Sequence, residues 1–174
     1  TIQHLLTMSA GFPEDNPWGD RQLDASDAEL LATIQEGISF STTPGTAYEY
    51  SNLGFAMLGK IIGNVSGQPY QEYITKNILL PLGMNSTKWE YSEVPEEKLA
   101  KGYQWTDSSW TEIPMLHDGA YGAMGGMIST IEDFSKYVAF HLNAWPPRND
   151  SETGPIKRSS IREMHQPCLL YTSP

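Results

Sequence analysis

Residues 53–65, LGFAMLGKIIGNV, most constrain what this chain can fold into. On a helix, Leu53, Met57, Ile61 and Val65 form one stripe, with Phe55, Leu58 and Ile62 beside it. A helix apolar around most of its circumference belongs inside a protein. Gly54, Gly59 and Gly63 each lower helix propensity by about 1 kcal/mol relative to Ala, so close packing of another element is the expected compensation. The preceding stretch, PGTAYEYSN, shows how the helix starts. Pro44-Gly45 makes a turn, Tyr48 and Tyr50 alternate as on a short extended segment, and Ser51 and Asn52 can cap the helix. Tyr50 and Asn52 then stand at a loop-to-helix junction, where a rigid element holds polar groups in place. Ser51 points away from both in an extended segment, and capping accounts for it. An ordinary helix start with a tyrosine before it is the plain alternative.

The other elements follow from capping and turn signals. Thr1 can cap a short helix with Ile2, Leu5 and Leu6 on one face, and His4 on it reads as a structural histidine. The loop GFPEDNPWGDRQ turns at Asn16-Pro17 and Trp18-Gly19; its Phe12 and Trp18 either pin it to the core or line a cleft. Ser26 and Glu29 form a capping box for a helix to about Glu36, with Leu30, Leu31 and Ile34 inward and Gly37 as the stop. Ser66-Gly67 ends the apolar helix. Pro69 opens a second one with Tyr70, Tyr73, Ile74 and Ile78 on its apolar side, closed by a turn over residues 80–84.

From Asn85 the pattern changes. Thr87–Trp89 reads as a short strand and Pro95–Leu99 as a helical turn. Gly102–Thr106 and Trp110–Ile113 read as a hairpin around Asp107-Ser108-Ser109. The glycine-rich run HDGAYGAMGGM, residues 117–127, has neither a P-loop nor a dinucleotide fingerprint. Its glycines are expected to let the backbone pass close to another element. Thr130 and Asp133 resemble a capping box opening a helix to about Asn143, with Ile131, Phe134, Val138 and Leu142 inward. Ser160–His165 is a short helix. No internal repeat or linker divides this mainly helical unit.

Several chemistries are disfavoured. A net charge of −10 argues against nonspecific binding to nucleic acid or anionic membranes, and no apolar run is long enough to span a bilayer. His4, His117, His141 and His165 are dispersed, and no Cys/His spacing suits a metal, so neither metal nor cofactor is expected. Glu96-Glu97 and Glu132-Asp133 sit where helix starts favour negative charge. Neither G-x-S-x-G nor S-x-x-K occurs. Tyr50-x-Asn52 remains, a weak signal when taken alone.

Its context is specific. TIQHLLTMSAGFP, PGTAYEYSNLGFAMLGKIIGNVSGQPYQEYITKNILLPLGM and GAMGGMISTIEDFSKYV occur in this order. Together they resemble the serine β-lactamase-related family of class C β-lactamases, D,D-peptidases and similar esterases, over roughly residues 1–167. The resemblance implies an α+β fold of the β-lactamase/transpeptidase type. In it a helical subdomain lies beside an antiparallel sheet, and this chain holds mainly the helical part with a few short antiparallel strands. It implies a serine hydrolase that forms an acyl-enzyme on a β-lactam, a D-Ala-D-Ala peptide or a short ester.

In this family a Ser in S-x-x-K is acylated, a Tyr-x-Asn motif is the second catalytic element, and K-T-G or H-x-G on a strand is the third. Tyr50 and Asn52 match the second element. A phenol titrates near 10 and shuttles protons near neutrality only where cations lower that value, which the family's lysines do. Asn52 can donate to a substrate carbonyl and accept from a lysine. His117-Asp118-Gly119 matches H-x-G but stands too early in the order and reads as coincidence.

The first and third elements are missing. The expectation is therefore an internal fragment, inactive as given, whose apolar helix faces are partly uncovered. Residues 168–174, CLLYTSP, resemble a translated sequencing adapter, which would make Cys168 non-native. Export to the periplasm or outside the cell is what the family implies. Two alternatives stand beside the enzyme: a non-catalytic relative that keeps the fold as a binding or assembly module, and an unrelated helical domain. The last predicts that the first helix and the glycine-rich run do not pack near Tyr50.

Overall fold

The computed structural model describes residues 1–167, so the reading of 168–174 as adapter lies outside the described residues. The architecture is built around the helix anticipated from the apolar pattern, Asn52–Ser66. In chain order the helices are α1 (Ile2–Leu6), α2 (Asp27–Glu36), α3 (Asn52–Ser66), α4 (Tyr70–Ile74), α5 (Ile131–Leu142) and α6 (Arg158–Met164). The strands β1 (Gly102–Thr106) and β2 (Ser109–Ile113) form one antiparallel hairpin.

Helix α3 serves two apolar clusters. Its Leu53 and Ala56 join Leu30 and Tyr121 in one. Its Leu58 joins Leu5 and Phe12 in the other. Ile38 and Met57 pack against both. Burying each large apolar side chain contributes about 1.5–3 kcal/mol, so α3 carries much of the stabilising contact. Leu5 of α1 lies 3.7 Å from where a Gly54 side chain would begin, and Ala123 of the glycine-rich run 2.7 Å from the corresponding point at Gly59. The first helix and the glycine-rich run therefore both pack on the helix that Tyr50 precedes, which removes the unrelated-domain reading.

The capping residues behave as their chemistry dictates. Ser26 Oγ accepts from Glu29 N at 3.3 Å while Ser26 N donates to Glu29 Oε2 at 2.8 Å. Thr130 Oγ1 accepts from Asp133 N at 3.2 Å. Gly67, in the left-handed region at φ 72°, closes α3. Helix α4 widens at its end, where Leu80 N donates to Thr75 O five residues back at 2.9 Å.

Several expectations need correction. Ile2 and Leu6 are exposed and only Leu5 of α1 is buried. In α2, Leu30 is buried but Leu31, turned about 100° further round the helix, is exposed. The last turn of α3 leaves the core, so Val65 is exposed. In α5 the stripe of Ile131, Phe134, Val138 and Leu142 is exposed throughout, not inward. A helical period reveals a stripe but not whether a neighbour covers it. Of the three α3 glycines only Gly59 meets a tight neighbour; at Gly63 the nearest atom is at an ordinary 3.6 Å.

The strand expected at Thr87–Trp89 shrinks to a single bridge, Lys88 with Ile128. Its neighbours' polar groups go elsewhere: Ser86 N at 2.8 Å and Thr87 Oγ1 at 3.0 Å both donate to Asp133 Oδ2. The hairpin turn is two residues, since Asp107 and Ser108 both adopt positive φ and Ser109 pairs with Thr106.

Two tests follow. Gly63→Ala should raise stability in urea unfolding by about 0.5–1 kcal/mol through helix propensity, whereas Gly59→Ala should lower it by about 1–3 kcal/mol by overpacking on Ala123. Burial works to raise the Asp133 carboxyl, but bonds from Lys136, Thr87 and Ser86 outweigh it and hold it below the usual range. Its contribution is therefore complete above the ordinary carboxylate range and lost as pH falls through the depressed folded value. Asp133→Asn should cost about 1–3 kcal/mol near pH 7 and flatten the loss of stability below about pH 4, measured by urea unfolding across pH.

Candidate active site at the start of helix α3

Tyr50 and Asn52 are set by three local devices. Gly45 turns the chain at φ 87°. The segment after it is tied down as Gly45 N donates to Ser9 O and Glu49 N to Met8 O, both at 2.8 Å. Ser51, extended at φ −143° and ψ 113°, then caps α3 by accepting from Gly54 N at 3.1 Å. Ser51 is buried and its hydroxyl is engaged, so it is the spacer and cap that its position suggested.

Across the cap, the two motif side chains meet. Tyr50 OH donates to Asn52 Oδ1 at 3.2 Å. Asn52 is only 2% exposed, while Tyr50 is half-buried. The Asn52 amide nitrogen donates to Asp15 Oδ1 at 3.1 Å and faces Asp20 Oδ1 at 3.5 Å. Its donors are thus directed into the 15–20 loop, and the oxygen is the end turned toward Tyr50.

Asp15 is the residue sequence reasoning missed. Its Oδ1 accepts from Asn52 N at 2.8 Å, and its Oδ2 from Leu53 N at 2.8 Å and Ser51 Oγ at 3.2 Å. A carboxylate on free N–H groups at a helix start is favourable by charge and by hydrogen bonding. A signal was available. Helices α2 and α5 carry their own acids in the first turn, Asp27 with Glu29 and Glu132 with Asp133, whereas α3 carries none. The loop bearing Asp15 supplies the missing anion. Gly19 lets it approach, for a Cβ there would lie 2.6 Å from both Asn52 Cβ and Nδ2.

The electrostatics act against ionising Tyr50. Burial, then the Asp20 and Asp15 charges, push its phenol above the usual range. These charged neighbours are anions, opposite in sign to what a proton carrier near neutrality requires.

A cavity of about 280 Å³ opens beside this lock, between Phe12, Asp15, Trp18, Ile38, Ser51 and Leu53. Trp18 forms its wall and meets Tyr121 edge-on, ring centres 6.2 Å apart. A larger cleft of about 600 Å³ runs between Asp27, Lys60, Gly63, Gln71 and Asp118, and neither Tyr50 nor Asn52 lines it. His117-Asp118-Gly119 lies in a loop, not on a strand. His117 pairs with Glu90 at 2.9 Å and Tyr91 OH at 3.1 Å, and Asp118 accepts from Gln71 at 2.6 Å. Among the described residues no group of three or more His, Cys, Asp or Glu side chains is placed to hold a metal ion, and no helix is long and apolar enough to cross a membrane.

This arrangement of helices is of the β-lactamase/transpeptidase type. It superposes on the octameric penicillin-binding protein homologue of Pyrococcus abyssi with a TM-score of 0.76 and 30% identity, over 97% of this chain and 39% of that one. A D-amino acid amidase from Ochrobactrum anthropi shares the fold, with a TM-score of 0.64 and 24% identity over 82% of this chain and 43% of that one. The β-lactamase family model matches residues 1–166, and the chain belongs to that family. Beta-lactamase-like protein 2 of Dictyostelium discoideum is 30% identical over 178 residues, which span 100% of this chain and 32% of that relative. The chain therefore spans about a third of that protein's length.

Because Gly19 faces Asn52 so closely, Gly19→Ala should destabilise by about 1–3 kcal/mol through overpacking, with Asn52 amide protons losing protection in hydrogen exchange.

Proposed function

We propose that the protein carrying this chain is a serine hydrolase that forms an acyl-enzyme on an amide or ester carbonyl, with Tyr50 and Asn52 as its second catalytic element. The observation that carries this reading is the Tyr50 OH to Asn52 Oδ1 contact of 3.2 Å at the capped start of α3, in a chain of the β-lactamase family. The proposed substrate is a β-lactam, a D-Ala-D-Ala peptide or a short ester, and similarity to a penicillin-binding protein homologue supports the first of these.

The chemistry divides between this chain and elements it does not contain. A serine of an S-x-x-K element attacks the carbonyl, forming the Ser Oγ–C bond, and its proton passes to the departing amine or alcohol. Water then cleaves the ester. Tyr50 is the carrier of that proton. Since Asp20 and Asp15 push its phenol up, the lysines of the first and third elements must supply the opposing positive field. Residues 1–174 alone are then inactive, and the absence of labelling by a fluorescent penicillin or a fluorophosphonate is the expected result. Export to the periplasm or beyond the cell belongs to the same proposal.

One observation favours a second reading, a non-catalytic β-lactamase-fold binding module: Asn52 is almost fully buried and its amide nitrogen bonds to the loop. An intact S-x-x-K in the full reading frame supports the enzyme, and its loss supports the module. In the full-length protein, Tyr50→Phe should lower turnover by about 10²–10⁴-fold, the usual contribution of a proton-transfer group. A fall of less than about tenfold would exclude Tyr50 from that role.

A further inference from the structure

We propose that Asp15 is the positioning residue of the Tyr-x-Asn pair: its carboxylate sets the rotation of the Asn52 amide, and the Asn52 oxygen in turn aims the Tyr50 hydroxyl. The proposal rests on the reading of Tyr50 as proton carrier. A carboxylate accepts hydrogen bonds and donates none. Asp15 Oδ1 lies 3.1 Å from the Asn52 side-chain nitrogen. The opposite amide rotation would set oxygen against oxygen at Asp15, and at Asp20 Oδ1 3.5 Å away, so the nitrogen faces the 15–20 loop and the oxygen faces Tyr50. The Tyr50 hydroxyl donates to that oxygen at 3.2 Å. Its proton therefore has a defined direction set two links away.

The carboxylate is itself held. Backbone N–H groups of Asn52 and Leu53 donate to its two oxygens, each at 2.8 Å, and the Ser51 hydroxyl adds a third anchor at 3.2 Å. Asn52 has little room to escape, being 2% exposed and covered on its Cβ side by Gly19. Asp15 lies 37 residues before Asn52 in sequence, so the aim of the phenol depends on how the 12–22 loop is seated. A supporting side chain of this kind affects chemistry without touching substrate, since small misplacements of a reacting group are costly.

The test uses the full reading frame carrying this chain. Hydrolysis of a p-nitrophenyl ester is followed for Tyr50→Phe, Asp15→Ala, Asp15→Asn and Ser51→Ala. Ser51→Ala removes the hydroxyl cap of the same helix but leaves the Asp15–Asn52 contact, so it controls for a loosened helix start. Asp15→Ala should lower kcat by up to about a hundredfold with little change in KM, the scale of a misplaced reacting group. Ser51→Ala removes the cap and one of the three anchors of the carboxylate but keeps the Asp15–Asn52 contact, so it should lose clearly less than Asp15→Ala. Asp15→Asn keeps an acceptor oxygen for Asn52 but sets its NH2 against the Leu53 N–H, so it should recover part of the activity that Asp15→Ala loses. Its Tyr50-dependent pH–rate limb should move to lower pH, because an anion that disfavours the phenolate is gone.

Near-wild-type kcat in Asp15→Ala, or equal losses in Ser51→Ala and Asp15→Ala, overturns the proposal. If Tyr50→Phe is still severely impaired in that case, the Tyr50 reading survives. A Tyr50→Phe protein with full activity removes both. Should Asp15→Ala fail to fold, hydrogen exchange of the Asn52 side-chain NH2 in the unsubstituted protein decides, and exchange as fast as that of an exposed amide overturns the positioning role.

Discussion

Helix α3 begins with amide N–H groups that its own turns cannot satisfy and has no acid in its first turn. The Asp15 carboxylate meets that need, and much of the site's geometry follows. To deliver the carboxylate, the loop after Phe12 must fold over the helix start. That brings Gly19 against Asn52 and Trp18 against Tyr121. Phe12 and Tyr121 belong to different apolar clusters on α3. A polar contact at one end of a helix thereby helps register the two clusters that flank it.

The electrostatic character of this start is negative throughout. It suits a helix N-terminus and opposes an ionised phenol. On the proposed function, the positive charge that would let Tyr50 carry a proton comes from segments other than this helix start, which itself supplies placement. This separation explains how a well-formed Tyr–Asn pair and a raised phenol coexist in one structure.

How much was legible in the sequence depended on the reach of each interaction. The caps at Ser26, Ser51 and Thr130 and the stop at Gly67 were readable because each is settled within about four residues. The helical core at 52–66 was readable from its period, and the family from three ordered motifs. Which apolar stripes are covered was not readable, as Leu31 and the exposed face of α5 show, because coverage depends on partners remote in sequence. Thr87 was misread for a related reason. Its local pattern favours a strand, but Asp133, 46 residues on, takes its hydroxyl. Tyr50 and Asn52 stood out through the motif, while Asp15, 37 residues before Asn52, had only the missing first-turn acid of α3 to point to it, an absence that α1 and α6 share.

Helix α5 differs from α3 in what attaches it. Its first turn is moored by the Asp133 carboxylate to Ser86, Thr87 and Lys136, next to the Lys88–Ile128 bridge, while its apolar stripe faces outward. α3 is held by nonpolar burial, which weakens on cooling, and the α5 start by charge-assisted bonds, which weaken when the carboxylate takes up a proton. The nonpolar hold along α3 therefore fades on cooling, while the mooring of α5 fades when Asp133 takes up a proton.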